Sequence, residues 1–180
     1  MGELDAVEWD AHAVVAGLTE SQGGWRADAG SWSVAECLDH LATANRVYLQ
    51  AMAEPADDAR RAGRIRRGPA ALGLFGRWFV RSLEPPVRRW LKTKSPQVIR
   101  PRTAPSLADA WAAFLESHQA VRDFLTGNAD LDLSGVLFPN PFVSRVHMRL
   151  VTGLHVIAAH ERRHLWQAWR VRRVAERVGA

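Results

Sequence analysis

The segment GLHVIAAHERRHLWQAWRV, Gly153 to Val171, decides the fold. Gly153, Val156, Ile157, His160, His164, Gln167 and Val171 recur at three- and four-residue steps, the period of one helix face and not of a strand. The face is largely apolar, so it points into a protein interior. On it His160 and His164 stand four residues apart, roughly 400° of turn and about 6 Å of rise, side by side. Two imidazoles on an inward face need partners, because burying an unpaired polar group costs free energy. A metal ion is such a partner and suits this spacing.

This helix is expected to run from about Val143 to Val174, as the last of four. The first spans about Leu4 to Glu20, with Val7, Val14, Val15 and Leu18 on its apolar face, and the glycines of SQGGWRADAGSW break it. The second opens on a capping box, Ser33-Val34-Ala35-Glu36, in which serine and glutamate satisfy each other's backbone amides. It should stop near Ala53, before Pro55. The third opens at Ser106-Leu107-Ala108-Asp109 and ends at Gly127-Asn128. Between the second and third lies a long proline-rich connection, Glu54 to Pro105, in which LGLFGRWFVRSL (Leu72 to Leu83) reads as a short amphipathic helix covering the bundle. No alternating strand pattern of useful length and no internal repeat is present. The expected fold is all-α: a single-domain four-helix bundle, with a second-to-third link long enough for those two helices to run parallel.

Composition narrows the function. A chain of 180 residues, 47% hydrophobic and 24% charged, is globular and can bury a real core. No apolar run approaches the roughly 20 residues of a membrane-spanning helix. The acidic start MGELDAVEWDAH shows no secretory pattern, and one cysteine, Cys37, excludes an internal disulfide framework; both suit the cytoplasm. The net charge is +5, almost all of its cations arginine, with Lys92 and Lys94 the only lysines. The densest clusters, Arg60 to Gly68 and Arg170 to Val178, lack interleaved stacking aromatics, so no nucleic-acid partner and no membrane partner is expected.

Literally, His160-Glu161-x-x-His164 is the zinc-protease motif. The metzincin continuation is missing, since Leu165, Trp166 and Gln167 follow, and too little chain remains for a downstream ligand. Glu161 lies about 100° around the helix from His160 and is expected on the solvated surface. The third ligand must come from upstream, and His40 is the first choice. It sits on the edge of the second helix's buried stripe, about 10 Å from that helix's start, at a depth that meets His160 and His164 if the two helices are antiparallel. His118 is a spare ligand candidate, and Cys37, spaced Cys-x-x-His with His40, is another. His12, His147 and His155 rank lower by direction or register. Three imidazoles with open positions for water or substrate is the layout of a catalytic site. The loop around Trp25, Arg26 and Trp32 is expected over the mouth, with Trp111 on another wall and Arg26 or Arg102 gripping a substrate carboxylate.

GSWSVAECLDHLATANRVYL (Gly30 to Leu49) and FPNPFVSRVHMRLVTGLHVIAAHERRHLWQAWRV (Phe138 to Val171) resemble the DinB-like superfamily, whose members are also described as YfiT-like metal-dependent hydrolases. KTKSPQVIRPRTAPS (Lys92 to Ser106) resembles the segment leading into that family's third helix. The resemblance implies a divalent ion held by His40, His160 and His164, whether zinc, nickel, manganese or iron. It implies a small-molecule substrate and, in characterised relatives, a low-molecular-weight thiol as cosubstrate, transferred to an electrophile or used in isomerisation. Homodimers are common in such proteins. The functional expectation is therefore a thiol-dependent S-transferase or a metal-dependent hydrolase, set against a non-catalytic, metal-stabilised bundle that binds a ligand or partner.

Overall fold

A helix start leaves amide groups without partners inside the helix, and a serine just before it can accept from one of them. Ser33 does this in the computed structural model: its hydroxyl accepts from the Glu36 amide at 3.1 Å, and the Glu36 carboxylate accepts from the Ser33 amide at 2.9 Å. The structure describes residues 2–86, 95–143 and 145–179. Lys92, Lys94 and the beginning of the Lys92–Ser106 segment lie outside the described residues.

Six α-helices and one small hairpin make up the described chain: α1 (Gly2–Val15), α2 (Glu20–Gly24), α3 (Val34–Arg61), α4 (Leu74–Leu83), α5 (Leu107–Gly127), β1 (Leu137–Pro139), β2 (His147–Arg149) and α6 (Leu150–Val178). A short 3₁₀ turn occupies Gln97–Ile99. The fold is all-α, with α1, α3, α5 and α6 as the bundle. Asn45 meets Glu161, and Met52 packs on Gly153, so α3 and α6 are antiparallel. Asn45 meets Ser117 and Arg60 meets Asn128, so α3 and α5 run parallel. Glu3 meets Arg162 and Asp10 meets Trp169, which sets α1 parallel to α6. Parallel neighbours α3 and α5 need the long crossover between them. None of the described helices is long and apolar enough to cross a membrane.

The buried apolar residues fall into two groups along the bundle axis. One contains Tyr48, Met52, Phe138, Leu150 and Ile157. The other contains Val7, Leu38, Leu41, Phe114 and Leu165. On α3, α5 and α6 a polar residue stands between the two groups: Asn45, His118 and Glu161 respectively. Gly153 is required where it stands, because a Cβ there would lie 2.8 Å from both Met52 Sδ and Phe138 Cζ.

Several boundaries differ from the sequence-based expectation, each for a physical reason. α3 does not stop before Pro55 but continues to Arg61, because Met52, Ala56 and Ala59 bury one continuous face. The first helix ends at Val15, followed by Gly17 with φ +74°, a backbone state that glycine adopts without strain. Thr19 and Gln22 then form a capping box of their own for α2, and the Glu20 carboxylate accepts from the amides of Leu107 at 2.7 Å and Ala108 at 3.0 Å, capping α5 from outside. The last helix opens at Leu150 and not near Val143, because β1 and β2 intervene; only Phe138 and Met148 of that hairpin are buried. Three-residue strands are too short for a period-two signal.

Candidate metal centre

The antiparallel arrangement of α3 and α6 brings His40 against His160 and His164, and one ring nitrogen from each lies within 4.8 Å of the other two. His40 and His164 are buried and His160 half-buried. The His40 Nδ1–H donates to the Ile99 carbonyl of the 3₁₀ turn. A carbonyl only accepts, so Nδ1 carries the hydrogen, and in the neutral ring Nε2 is a bare lone pair. That lone pair faces His160 Nε2 at 3.2 Å. Backbone pinning of one ring nitrogen while the other is presented outward is how metal-binding imidazoles are commonly oriented.

All three rings are held in the neutral form that a ligand needs. Burial is the main cause for each. The His160 pKa is pushed down to about 3, with the neighbouring charges of His40 and Arg163 adding to burial. His164 is held well below its ordinary value by burial, then by His160, His40 and Arg163, against a hydrogen bond with Gln167. Burial lowers His40 as well, opposed by the Ile99 hydrogen bond and the Asp39 charge. His164 Nδ1 is buried without a hydrogen-bond partner. Among the described residues His164 Nδ1 is a buried nitrogen with no partner, while His40 Nε2 meets only the facing His160 Nε2, and a divalent cation among the rings would engage all three. Trp32 covers the cluster, its ring centroid 4.7 Å from that of His40 and 5.6 Å from that of His164.

The histidines line a hollow of about 780 Å³, within the range of small-molecule sites. The loop after α2 forms one wall with Arg26 and Trp32, as expected. The opposite wall is the Ser95–Thr103 segment, with Trp166, Gln167 and Arg170 of α6. Trp111 is not on it; that ring packs on His12 and Phe114. Arg26 binds both oxygens of Glu36, and Arg102 binds Asp39 through its side chain and its backbone amide. Neither guanidinium is left to grip a substrate alone. Ile99 and Arg100 carry no signal in the sequence, because they come from a distant connection without a period. Arg163, Trp166 and Arg170 lie on α6 beside the histidine face, where charged and aromatic residues read as a solvated flank.

The other ligand candidates are engaged elsewhere. Cys37 is fully buried in the apolar group around Leu38, and burial, then Glu36, pushes its thiol pKa up, away from the thiolate a metal prefers. His118 lies on α5, where Nδ1 meets Glu161 Oε1 at 2.9 Å and Nε2 donates to the Leu4 carbonyl at 3.2 Å. Glu161 itself, expected on the surface, has 0% exposure and also accepts from Asn45 Nδ2 at 2.9 Å. α6 packs against α3 and α1, and Glu161 points inward between them, meeting Asn45 on α3 and His118 of α5 across the bundle. His155 is half-exposed beside Glu3.

The sequence pattern of the DinB superfamily matches residues 3–168, nearly the whole chain. No curated protein and no solved structure matches it.

Proposed function

The chain belongs to the DinB superfamily, and from that premise we propose that it is a divalent-metal enzyme whose ion is held by His40, His160 and His164. The observation that carries this reading is the His40 Nε2 lone pair, fixed by the Ile99 carbonyl and aimed at His160 Nε2. A divalent ion held there supplies a Lewis acid that lowers the pKa of a thiol or a water molecule. Use with a low-molecular-weight thiol makes the protein an S-transferase acting on an electrophile; use with water makes it a hydrolase. Two imidazoles from one helix and one from another leave coordination positions facing the hollow, as a catalytic site requires. Burial and the Trp32 ring keep the cluster dry on the protein side, which strengthens electrostatic effects inside it. Glu161 takes no part, being committed to His118 and Asn45.

Elemental analysis of the purified chain tests the metal. Close to one zinc, nickel, manganese or iron ion per chain is expected, and His40→Ala or His164→Ala should lose it. Metal-free wild-type protein, or full retention in both variants, removes the basis of the reading. The thiol is tested by incubating bacillithiol, mycothiol or glutathione with a reactive electrophile, with and without chelator. Thiol consumption that chelator abolishes supports S-transfer; turnover of an ester or amide panel without thiol favours the hydrolase.

A further inference from the structure

The hollow over the histidines carries more positive charge than its own carboxylates balance. Five arginines line it, Arg26, Arg100, Arg102, Arg163 and Arg170, against two carboxylates, Asp28 and Glu36. Arg26 is paired with Glu36 and Arg102 with Asp39. Arg100 and Arg170 differ: among the described residues neither meets a carboxylate. Arg100 Nε lies 3.5 Å from the Ser95 carbonyl, and the Arg170 guanidinium stands 4.9 Å from the centroid of the Trp166 ring. Both are exposed to the hollow.

We propose that this hollow binds an anionic small molecule, whose carboxylate or phosphate is held by Arg100 and Arg170 while its reacting end reaches the histidines. The inference deepens the reading of the hollow as a substrate site and rests on it. A guanidinium presents a planar fork that matches both oxygens of a carboxylate or phosphate. Stacking on Trp166 orients the Arg170 fork before the ligand arrives, which reduces the ordering cost of binding. Arg170 follows His164 by six residues, about 9 Å along α6. The ligand is therefore extended, with its negative group several bonds from its reacting atom. A concave wall with an excess of positive charge also concentrates anions at the mouth. A hollow of about 780 Å³ is of the size that small-molecule sites have.

The full chain, freed of metal by chelator and then dialysed, is titrated with succinate and separately with inorganic phosphate. Binding is followed by calorimetry and by the fluorescence of Trp32 and Trp166, at low salt. Saturable binding of at least one anion is expected, weakened about tenfold by Arg100→Ala or Arg170→Ala and little changed by Arg177→Ala, which lies outside the hollow. Succinate alone assigns a carboxylate, phosphate alone a phosphate. Arg170→Lys should fall between wild type and alanine, because it keeps charge and loses the fork. Binding of neither anion, or equal binding by wild type and both alanine variants, overturns the proposal. His40→Ala separates it from the metal reading: that variant should lose metal and keep the anion. Absence of metal from wild type with anion binding intact would sink the enzyme and leave this site standing.

Discussion

His160 and Glu161 are neighbours in sequence, yet they belong to two polar clusters of opposite character. Glu161 joins a closed cluster at the waist of the bundle, between the two apolar groups. There Asn45 donates to Glu161 and Ser117, Ser117 donates to the Phe114 carbonyl, and His118 bridges Glu161 and the Leu4 carbonyl. All four side chains are at most 1% exposed. Among them one buried atom, Glu161 Oε2, lacks a partner. His160 joins an open cluster beside a hollow, in which the protein pins the far side of the His40 ring, the near nitrogens meet only one another, and His164 Nδ1 has no partner among the described residues. Polar residues buried to tie helices together each find a partner within the chain, even where one atom, here Glu161 Oε2, is left over. Those buried to hold something else keep lone pairs in reserve.

That contrast breaks most sharply under substitution at adjacent positions. His160→Ala should reduce metal from about one ion per chain to near none, read by elemental analysis, whereas Glu161→Gln should leave metal content unchanged. Equal loss in both variants would merge the two clusters into one. Stability should show the reverse order. Glu161→Leu strands His118 and Asn45 in the core and should cost about 3–5 kcal/mol in urea unfolding; His160→Ala, compared in metal-free protein, should cost far less, because its ring borders the hollow.

Acidity sharpens the comparison further. The folded-state pKa of the cluster histidines lies below the ordinary value near 6.5, that of His160 at about 3. Between those limits the unfolded chain binds protons that the folded chain refuses, so stability is flat above pH 6.5 and falls as pH drops toward 3. Metal-free protein should lose about 2 kcal/mol between pH 7 and pH 5 for each strongly depressed histidine by urea titration, and His160→Ala should remove one such share and make the slope shallower. A slope unchanged by the substitution would place the titration elsewhere. The smallest effect belongs to Ser117→Ala, which takes one acceptor from Asn45. About 1 kcal/mol of stability should be lost, with metal content unaltered.

Much of this was legible in the residues. Ser33-x-x-Glu36 announced the start of α3 seven residues before His40, and the spacing of His160 and His164 put both on one inward face. His40 followed from depth along antiparallel helices. Taken from α6 alone, Glu161 on a flank about 100° from an apolar face looks solvated; in the bundle that flank turns inward, and its partner His118 lies across the bundle on α5, 43 positions away in sequence. Pro55 was read as a stop because its cost is local, while the burial of Met52, Ala56 and Ala59 that offsets it is tertiary. Arg26 and Arg102 read from sequence as ligand-gripping cations, but Glu36 and Asp39 stand beside them and pair with them.

By itself, then, the sequence determined the four long helices, their order and which histidines share a face, but not α2 or the hairpin before α6, since hydrophobic period and capping are properties of near neighbours along a chain and short elements carry little of either. Only the tertiary structure decided that Ile99 orients His40, that Glu161 turns inward, and that Arg100 and Arg170 meet no carboxylate among the described residues at the mouth. The physical reason is that a buried polar group is defined by what satisfies it, and across a bundle that partner comes from another helix or loop, at a distance in sequence that no local pattern records.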